Sequence, residues 1–288
     1  MRNITEHNIT DAVLARFESC SDPRLKEVLG ALVRHLHAFV RETQLTEAEW
    51  MCGIEFLTAT GHITDAKRQE FILLSDTLGV SMLAAAQNHA TPNGATEATV
   101  FGPFHVADAP QYADGEDMAG GAPGEPLFVS GTVRTLDGAP VAGATIDVWQ
   151  SDEEGFYDVQ RPELSGPRAR GVYRSDAQGR FHLRSVLPTA YPIPTDGPVG
   201  RMLVATGRHP WRPAHVHFMI QADGCETLIT HVFRNGDPYL DSDVVFGVRA
   251  SLVADYVAHA AGTGVHAAEV TGRYHTLDFD FVLQRRVG

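Results

Sequence analysis

Cysteine is scarce: Cys20, Cys52 and Cys225 are scattered along 288 residues, too few for a disulfide framework or a thiolate metal site. Long apolar runs are missing as well. No stretch approaches the roughly 20 residues that span a bilayer. The opening MRNITEHNITDAV has no basic segment followed by an apolar one, so no signal peptide is visible. Positive charge is also in short supply. There are 23 Lys and Arg against 36 Asp and Glu, a formal net charge of -13 and a sequence pI near 5.5. Such a surface repels phosphate, so neither nucleic acid nor an anionic membrane is an expected partner. No Rossmann or P-loop signature occurs, and no organic cofactor is expected. The expectation is a soluble, cytoplasmic protein.

What is present is an ordinary globular balance, 43% hydrophobic and 20% charged, with 14 histidines. The first ninety or so residues have helical periodicity. Ser21 or Asp22 can cap a helix with Pro23 in its first turn, and Leu25, Val28, Leu29, Leu32, Leu36, Phe39 and Val40 build one apolar stripe. Thr46-x-x-Glu49 is a capping box before Trp50, Ile54 and Leu57. Thr64 is the expected cap of a third long helix through Phe71, Leu74 and Leu78 towards Ala86. The apolar residues exceed one narrow stripe, which a dimer interface explains most simply, although a helix sandwiched within one subunit does so too.

Residues 107–126 are rich in Gly, Pro, Ala and Asp and read as a linker or loop. Beyond them the pattern becomes one of short strands. Leu127–Thr135 alternates, Asp137-Gly138 marks a turn, and Ala144–Gln150 alternates with Ile146 and Val148 on one face. Further strands are expected at Gly171–Arg174, Arg180–Val186, Ala214–Gln221, Thr227–Phe233 and His275–Leu283. Many short strands separated by turns argue for a β-sandwich. The expected fold class is α+β, helices first and a mixed sandwich after, divided into residues 1–106 and 107–288.

The sharpest local signal is Arg212-Pro213-Ala214-His215-Val216-His217-Phe218. Residues two apart on a strand share a face, so the two imidazoles project together, with Val216 and Phe218 opposite. Alone, an H-x-H pair is more often two hydrogen-bonded histidines than a metal site. Zinc would want a third His, a carboxylate or a cysteine, and an Fe(II) oxygenase one carboxylate. Neither H-x-D/E nor H-E-x-x-H lies close by, which leaves distant Asp or Glu ligands open. Two tyrosines occupy unusual loop settings, Gly155-Phe156-Tyr157-Asp158 and Thr189-Ala190-Tyr191-Pro192. A phenol ionises near pH 10, and only a strongly Lewis-acidic ion ionises it readily at neutral pH. Two phenolates with two imidazoles would favour Fe(III) over Fe(II). A single tyrosine is usually a half-buried packing residue; the combination is what carries weight.

With its flanks DVWQSDEEGFYD, TAYPIP and RPAHVHF, this Tyr, Tyr, His-x-His order resembles the intradiol ring-cleavage dioxygenases, over nearly the whole chain and including ATVFGPFH at 98–105. Within that family the sequence is most similar to the branch acting on hydroxyquinol. Where the catechol-cleaving branch carries Gln, fourteen residues after His217, this chain has His231, and residues 195–200 and 237–243 also look like the hydroxyquinol branch.

The resemblance implies one Fe(III) per chain, held by Tyr157, Tyr191, His215 and His217, and O2 inserted between the two hydroxyl-bearing carbons of an aromatic diol. Tyr191 would take a substrate proton, Arg212 would stabilise developing negative charge beside the ring, and His231 would support the site from behind. An unbroken strand would turn Arg212 away from the histidine face; Pro213 is expected to redirect it. The implied substrate pocket has Leu73 and Asp76 on one side and Val100, Phe101, Gly102, Pro103 and Phe104 on another. Ile193, Pro194, Arg212 and Val245 close it. Leu73 and Phe101 equally suit plain core, and Asp76 equally suits a solvent-facing site. For hydroxyquinol (1,2,4-trihydroxybenzene) the product would be 3-hydroxy-cis,cis-muconate, the enol of maleylacetate, in aromatic-compound catabolism.

On the same resemblance the helical part would be a dimerisation region forming a homodimer, with a lipid at that interface left open, and the sandwich the catalytic domain. Three competing readings stand beside this one: catechol or a chlorocatechol as substrate, a zinc hydrolase, and a non-catalytic transthyretin-like binding module. The last would share G-x-V-x(4)-G-x-P-V-x-G-A but has no use for the tyrosine and histidine set.

Overall fold

A computed structural model describes residues 3–65, 68–88 and 94–286. The chain divides into two compact units, Met1–Ala59 and Thr60–Gly288. Among the described residues, no helix is long and apolar enough to cross a membrane.

The first unit is helical: α1 (Ile9–Leu14), α2 (Pro23–Thr43) and most of α3 (Glu47–His62). The start of α2 is fixed by Asp22, whose side chain accepts from the backbone N–H groups of Arg24 (2.9 Å) and Leu25 (3.0 Å), with Pro23 pre-set for the first turn. Gln44 ends it in the left-handed region, φ 50°. At the start of α3 the capping box forms, Thr46 N donating to Glu49 Oε2 (2.9 Å) and Glu49 N to Thr46 Oγ1 (3.3 Å).

The second unit begins with α4 (Glu70–Thr77) and α5 (Val80–Asn88). These replace the single third helix expected from the sequence. Thr64 caps no helix among the described residues; its hydroxyl donates back to Thr60 O at 2.8 Å, closing α3. Residues 66 and 67, which that helix would have crossed, lie outside the described residues. The second break is at Gly79, whose φ of +73° no helix accommodates.

Then follow β1 (Pro126–Thr135), β2 (Thr145–Gln150), β3 (Arg170–Arg174), β4 (Arg180–Val186), β5 (Tyr191–Pro192), α6 (Pro198–Ala205) and β6 (Trp211–Arg212). After these come β7 (His215–Gln221), β8 (Leu228–Arg234), β9 (Val253–Ala254), β10 (Val257–His259), β11 (Tyr274–Asp278) and β12 (Phe281–Leu283). The stretch expected as one strand over His275–Leu283 is thus β11 and β12, both parallel to β1. One sheet runs β10-β11-β1-β12 with β4 also on β1; the other runs β3-β2-β7-β8-β9. Their facing side chains form one core. Leu127, Val129, Phe181 and Leu277 from the first sheet meet Ile146, Val148, Val216 and Phe218 from the second. This is the mixed sandwich expected. Residues 107–125 contain no regular element, yet they are pinned along it: Tyr112 N donates to Val172 O and Met118 N to Arg184 O, each at 2.9 Å.

Because strand side chains alternate, β2, β7 and β8 send their other residues away from this core. Trp149 pairs across from His217, and His217 from His231, so three rings form a row on the outer face of that sheet. That face carries the site.

Candidate metal centre

His215 and His217 stand side by side on β7, both 1% exposed, with Nε2 atoms 3.1 Å apart. Two nitrogens this close cannot both carry protons. The tautomer of His215 is set by its other side: Nδ1 lies 2.6 Å from Pro213 O, which only accepts, so Nδ1 holds the hydrogen and Nε2 presents its lone pair. His217 Nδ1 makes no hydrogen bond among the described residues. Its ring is held instead by stacking on Trp149 at 4.7 Å and 16° and by a tilted contact with His231 at 4.1 Å.

Tyr157 enters from the loop after β2 and is fully buried. Its hydroxyl is 2.9 Å from His217 Nε2, 3.5 Å from His215 Nε2 and 3.3 Å from the Tyr191 hydroxyl. Two partners fix its ring. Phe104 stacks on it at 4.4 Å and 23°. The buried Arg170 grips Asp158, the next residue, through Nε at 2.8 Å and donates from Nη1 to Phe104 O at 3.0 Å. Tyr191 arrives on β5, paired with Arg212 on β6. That two-residue strand is the irregular entry expected at Pro213. Arg212 Nη1 consequently reaches Tyr191 Oη (3.4 Å) and His215 Nε2 (3.3 Å). His231, fully buried, hydrogen-bonds Thr99 Oγ1 through Nδ1.

Burial and then the nearby Arg212 guanidinium push the His215 and His231 imidazoles well below their usual range; for His217, burial is followed by the two other histidines. All three rings are therefore neutral donors. Burial pushes the Tyr157 phenol well up, and the adjacent Tyr191 adds to it. Arg212 itself stays charged. Burial opposes its charge, but Asp243 and the two phenolic oxygens outweigh that, and Asp243 Oδ1 accepts from Nε at 3.1 Å.

Does a cation fit? Donors about 2.0–2.1 Å from one ion, at angles between square and tetrahedral, lie about 2.9–3.4 Å apart. The three separations from the Tyr157 hydroxyl and that between the two Nε2 atoms run from 2.9 to 3.5 Å. A hard, strongly Lewis-acidic ion would also supply what the buried phenol lacks, a reason to ionise. The donor set fits. One nitrogen each from His215, His217 and His231 also lie within 4.8 Å of one another. His231 spends its Nδ1 on Thr99, while its buried Nε2 has no hydrogen-bond partner among the described residues.

The cavity beside the donors, about 160 Å³, is lined by Leu73, Pro103, Phe104 and Pro194, and also by Arg68 and Glu70. None of the four converging donors lines this cavity, nor the larger ones of about 320, 510 and 760 Å³; its link to them is Phe104, which stacks on Tyr157. Of the other pocket residues named from the sequence, Val100, Ile193 and Val245 are buried but off this lining. Gly102 lies against His217 Cε1. Phe101 is 39% exposed and packs on His105 and Trp149. Asp76 is buried on α4 and feels both Arg212 and Asp243. No local pattern assigns a role to Asp243, Arg170 or Trp149, although Asp243 lies within residues 237–243, which resemble the hydroxyquinol branch.

The fold is that of a known class. Residues 100–285 match the family described as "Dioxygenase", and residues 22–96 "Catechol dioxygenase N terminus". The chain belongs to the intradiol ring-cleavage dioxygenase family, and with the histidine cluster this makes the centre a metal site. It is 58% identical to a 6-chlorohydroxyquinol 1,2-dioxygenase of Cupriavidus pinatubonensis, over 98% of this chain and 99% of that one. It is 52% identical to a hydroxyquinol 1,2-dioxygenase of Nocardioides simplex, over 96% and 95%. The crystal structure of hydroxyquinol 1,2-dioxygenase from Pseudomonas putida superposes with a TM-score of 0.89 at 50% identity, covering 98% of this chain and 99% of that one.

Proposed function

We propose that this chain uses one Fe(III) to cleave hydroxyquinol with O2 between adjacent hydroxyl-bearing carbons, giving 3-hydroxy-cis,cis-muconate. The observation that carries the metal assignment is the convergence of two phenols and two neutral imidazoles at ligand spacing in a buried site. The relatives at 52–58% identity support the substrate. Tyr157, Tyr191, His215 and His217 would hold the ion. When bound, Fe(III) supplies the Lewis acidity that ionises phenols and diol alike and makes the ring reactive towards O2.

The remaining work falls to the chain. Tyr191 Oη takes a proton from a ring hydroxyl. Arg212 Nη1, 3.4 Å from that oxygen, is a fixed positive charge in a site from which water is largely excluded, and so stabilises negative charge developing on the ring. Leu73, Phe104, Pro103 and Pro194 offer the flat apolar walls that orient an aromatic ring. Asp76 accepts from the third hydroxyl.

The test is the colour and metal content of the purified protein. Phenolate-to-Fe(III) charge transfer should make it red to burgundy with about one iron per chain, and chelation should remove colour and activity together. A colourless protein that regains no activity with added iron would sink the assignment, and zinc in its place would support a hydrolase. Preferred turnover of catechol over hydroxyquinol would replace the substrate and leave the reaction class standing.

A further inference from the structure

The cavity beside the donors has a charged rim that the reaction outlined above does not use. Glu70, at the start of α4, is 1% exposed. Its Oε1 accepts from Val199 N in the first turn of α6 (3.1 Å), and Oε2 accepts from Arg68 Nε (3.2 Å) and Nη2 (3.1 Å). Arg68 in turn forks onto Asp196, Nη1 to Oδ2 and Nη2 to Oδ1, both 2.8 Å. The approach is tight: a Cβ on Gly197 would lie 2.3 Å from Glu70 Oε1 and 2.8 Å from Arg68 Nη2, so only glycine permits it. The triad fastens α4, which carries Leu73 and Asp76, to the segment that carries Tyr191 and Pro194.

Arg68 and Glu70 both line the cavity. A lone guanidinium there would welcome a carboxylate on the ring. This one cannot. Of its five N–H donors, four are committed to carboxylate oxygens. Two carboxylates around one guanidinium leave the rim with a net charge of -1. The pairing also holds Asp196 ionised, because Arg68 keeps its carboxyl below the usual range.

We infer that Arg68, Glu70 and Asp196 form a specificity device that turns anionic rings away from the pocket and admits neutral polyhydroxylated ones. The inference rests on the diol-cleaving reading for the identity of the ligand. Its test is therefore made on binding, without turnover: anaerobic titration of the iron-loaded protein with hydroxyquinol and with 3,4-dihydroxybenzoate, followed by protein fluorescence.

The informative variant is Asp196→Ala. Asp196 is 71% exposed, so its loss spares the core, and it frees one edge of the Arg68 fork while bringing the rim to zero charge. The Kd for 3,4-dihydroxybenzoate should tighten about fivefold, the effect of one unit charge a few ångströms away in largely aqueous surroundings. Hydroxyquinol binding should stay within twofold. Arg68→Lys keeps the net charge and should still exclude the acid. High salt should narrow the wild-type difference between the two ligands and change Asp196→Ala less. Unchanged acid binding in Asp196→Ala, or equal changes for both ligands, would overturn the inference. A wild-type protein that binds both diols and cleaves neither would instead count against the proposed function and leave the rim's selectivity to be judged on the two Kd values.

Discussion

Asp76 and Arg212 share one buried neighbourhood, and the balance of charge there decides what Asp76 can do. Arg212 is 3% exposed and paired with Asp243, whose two oxygens also accept from Val245 N (3.3 Å) and Gly247 N (2.9 Å). Asp243 is thus the primary counterion, and Asp76 is a second carboxyl beside an already neutralised pair. Burial raises its pKa; Ser81 and Arg212 pull the other way, and Asp243 pushes it up again. On the proposed reading this carboxyl accepts from a substrate hydroxyl as well as from Ser81. Asp76→Ala should lower kcat/KM for hydroxyquinol roughly ten- to a hundredfold, the loss of a hydrogen bond to a charged group, with catechol changed far less. Steady-state kinetics on both substrates measures it, and equal losses would make Asp76 a support of the fold. Stability gives an independent reading. A carboxyl whose folded pKa is raised costs the fold nothing below its unfolded value of about 4 and increasingly more as pH climbs from there through the folded value. The variant's Tm relative to wild type should therefore be better at pH 7 than at pH 4.

At the scale of elements, α4 and α5 make the sharpest test, because helix propensity and the observed backbone predict opposite signs. Were residues 70–88 one helix, Gly79→Ala would stabilise it by about 1 kcal/mol. With φ at +73°, alanine meets the left-handed penalty and should instead cost about 1–2 kcal/mol. Space is not the issue, since the nearest atom to an added Cβ is Phe246 Cδ2 at 3.5 Å. Urea unfolding of Gly79→Ala decides it by sign alone.

The same elements explain what the sequence could disclose. Period-two alternation disclosed β1, β2 and β7, and with β7 the shared face of His215 and His217. Capping chemistry disclosed the starts of α2 and α3. A lone glycine within a helical pattern gave no warning of its φ. The first turn of α6 lies in a Gly- and Pro-rich stretch, and the helix draws its support from Val199 and Leu203 in the core and from Glu70, 129 residues earlier. For Arg212 the only sequence clue is Pro213, which hints at a break in the strand. Asp243 and Arg170 escaped notice because an ion pair formed across a fold leaves no periodic trace. The tyrosines acquired meaning from the family resemblance, since nothing local distinguishes Tyr157 from a packing residue.

At the scale of the whole molecule, the surface combines a net charge of -13 with an apolar stripe that such a charge does not explain. Leu25, Val28, Leu32, Leu36 and Phe39, all on α2, are 45–51% exposed. Single exposed apolar residues are ordinary, but a row of them at helical spacing over residues 25–39 of the 21-residue α2 is a patch of the kind that marks an interface. A second copy of the chain meets its requirements. The patch is self-complementary in chemistry, and an isologous pair covers both stripes at once. Burying it against another copy also brings no partner of opposite charge into the argument, which suits a stripe free of carboxylates at these positions. We therefore predict a homodimer joined through α2, with light scattering at micromolar concentration giving twice the 31.3 kDa chain mass. Replacing Leu32 and Leu36 together by Glu places four like charges in the paired interface and should give a monomer. The metal donors all lie in the other compact unit, beyond residue 60, so that monomer should keep its visible band. A wild-type monomer would remove the dimer without touching the chemistry. A monomeric variant that loses its colour would mean that the helical unit supports the metal centre itself.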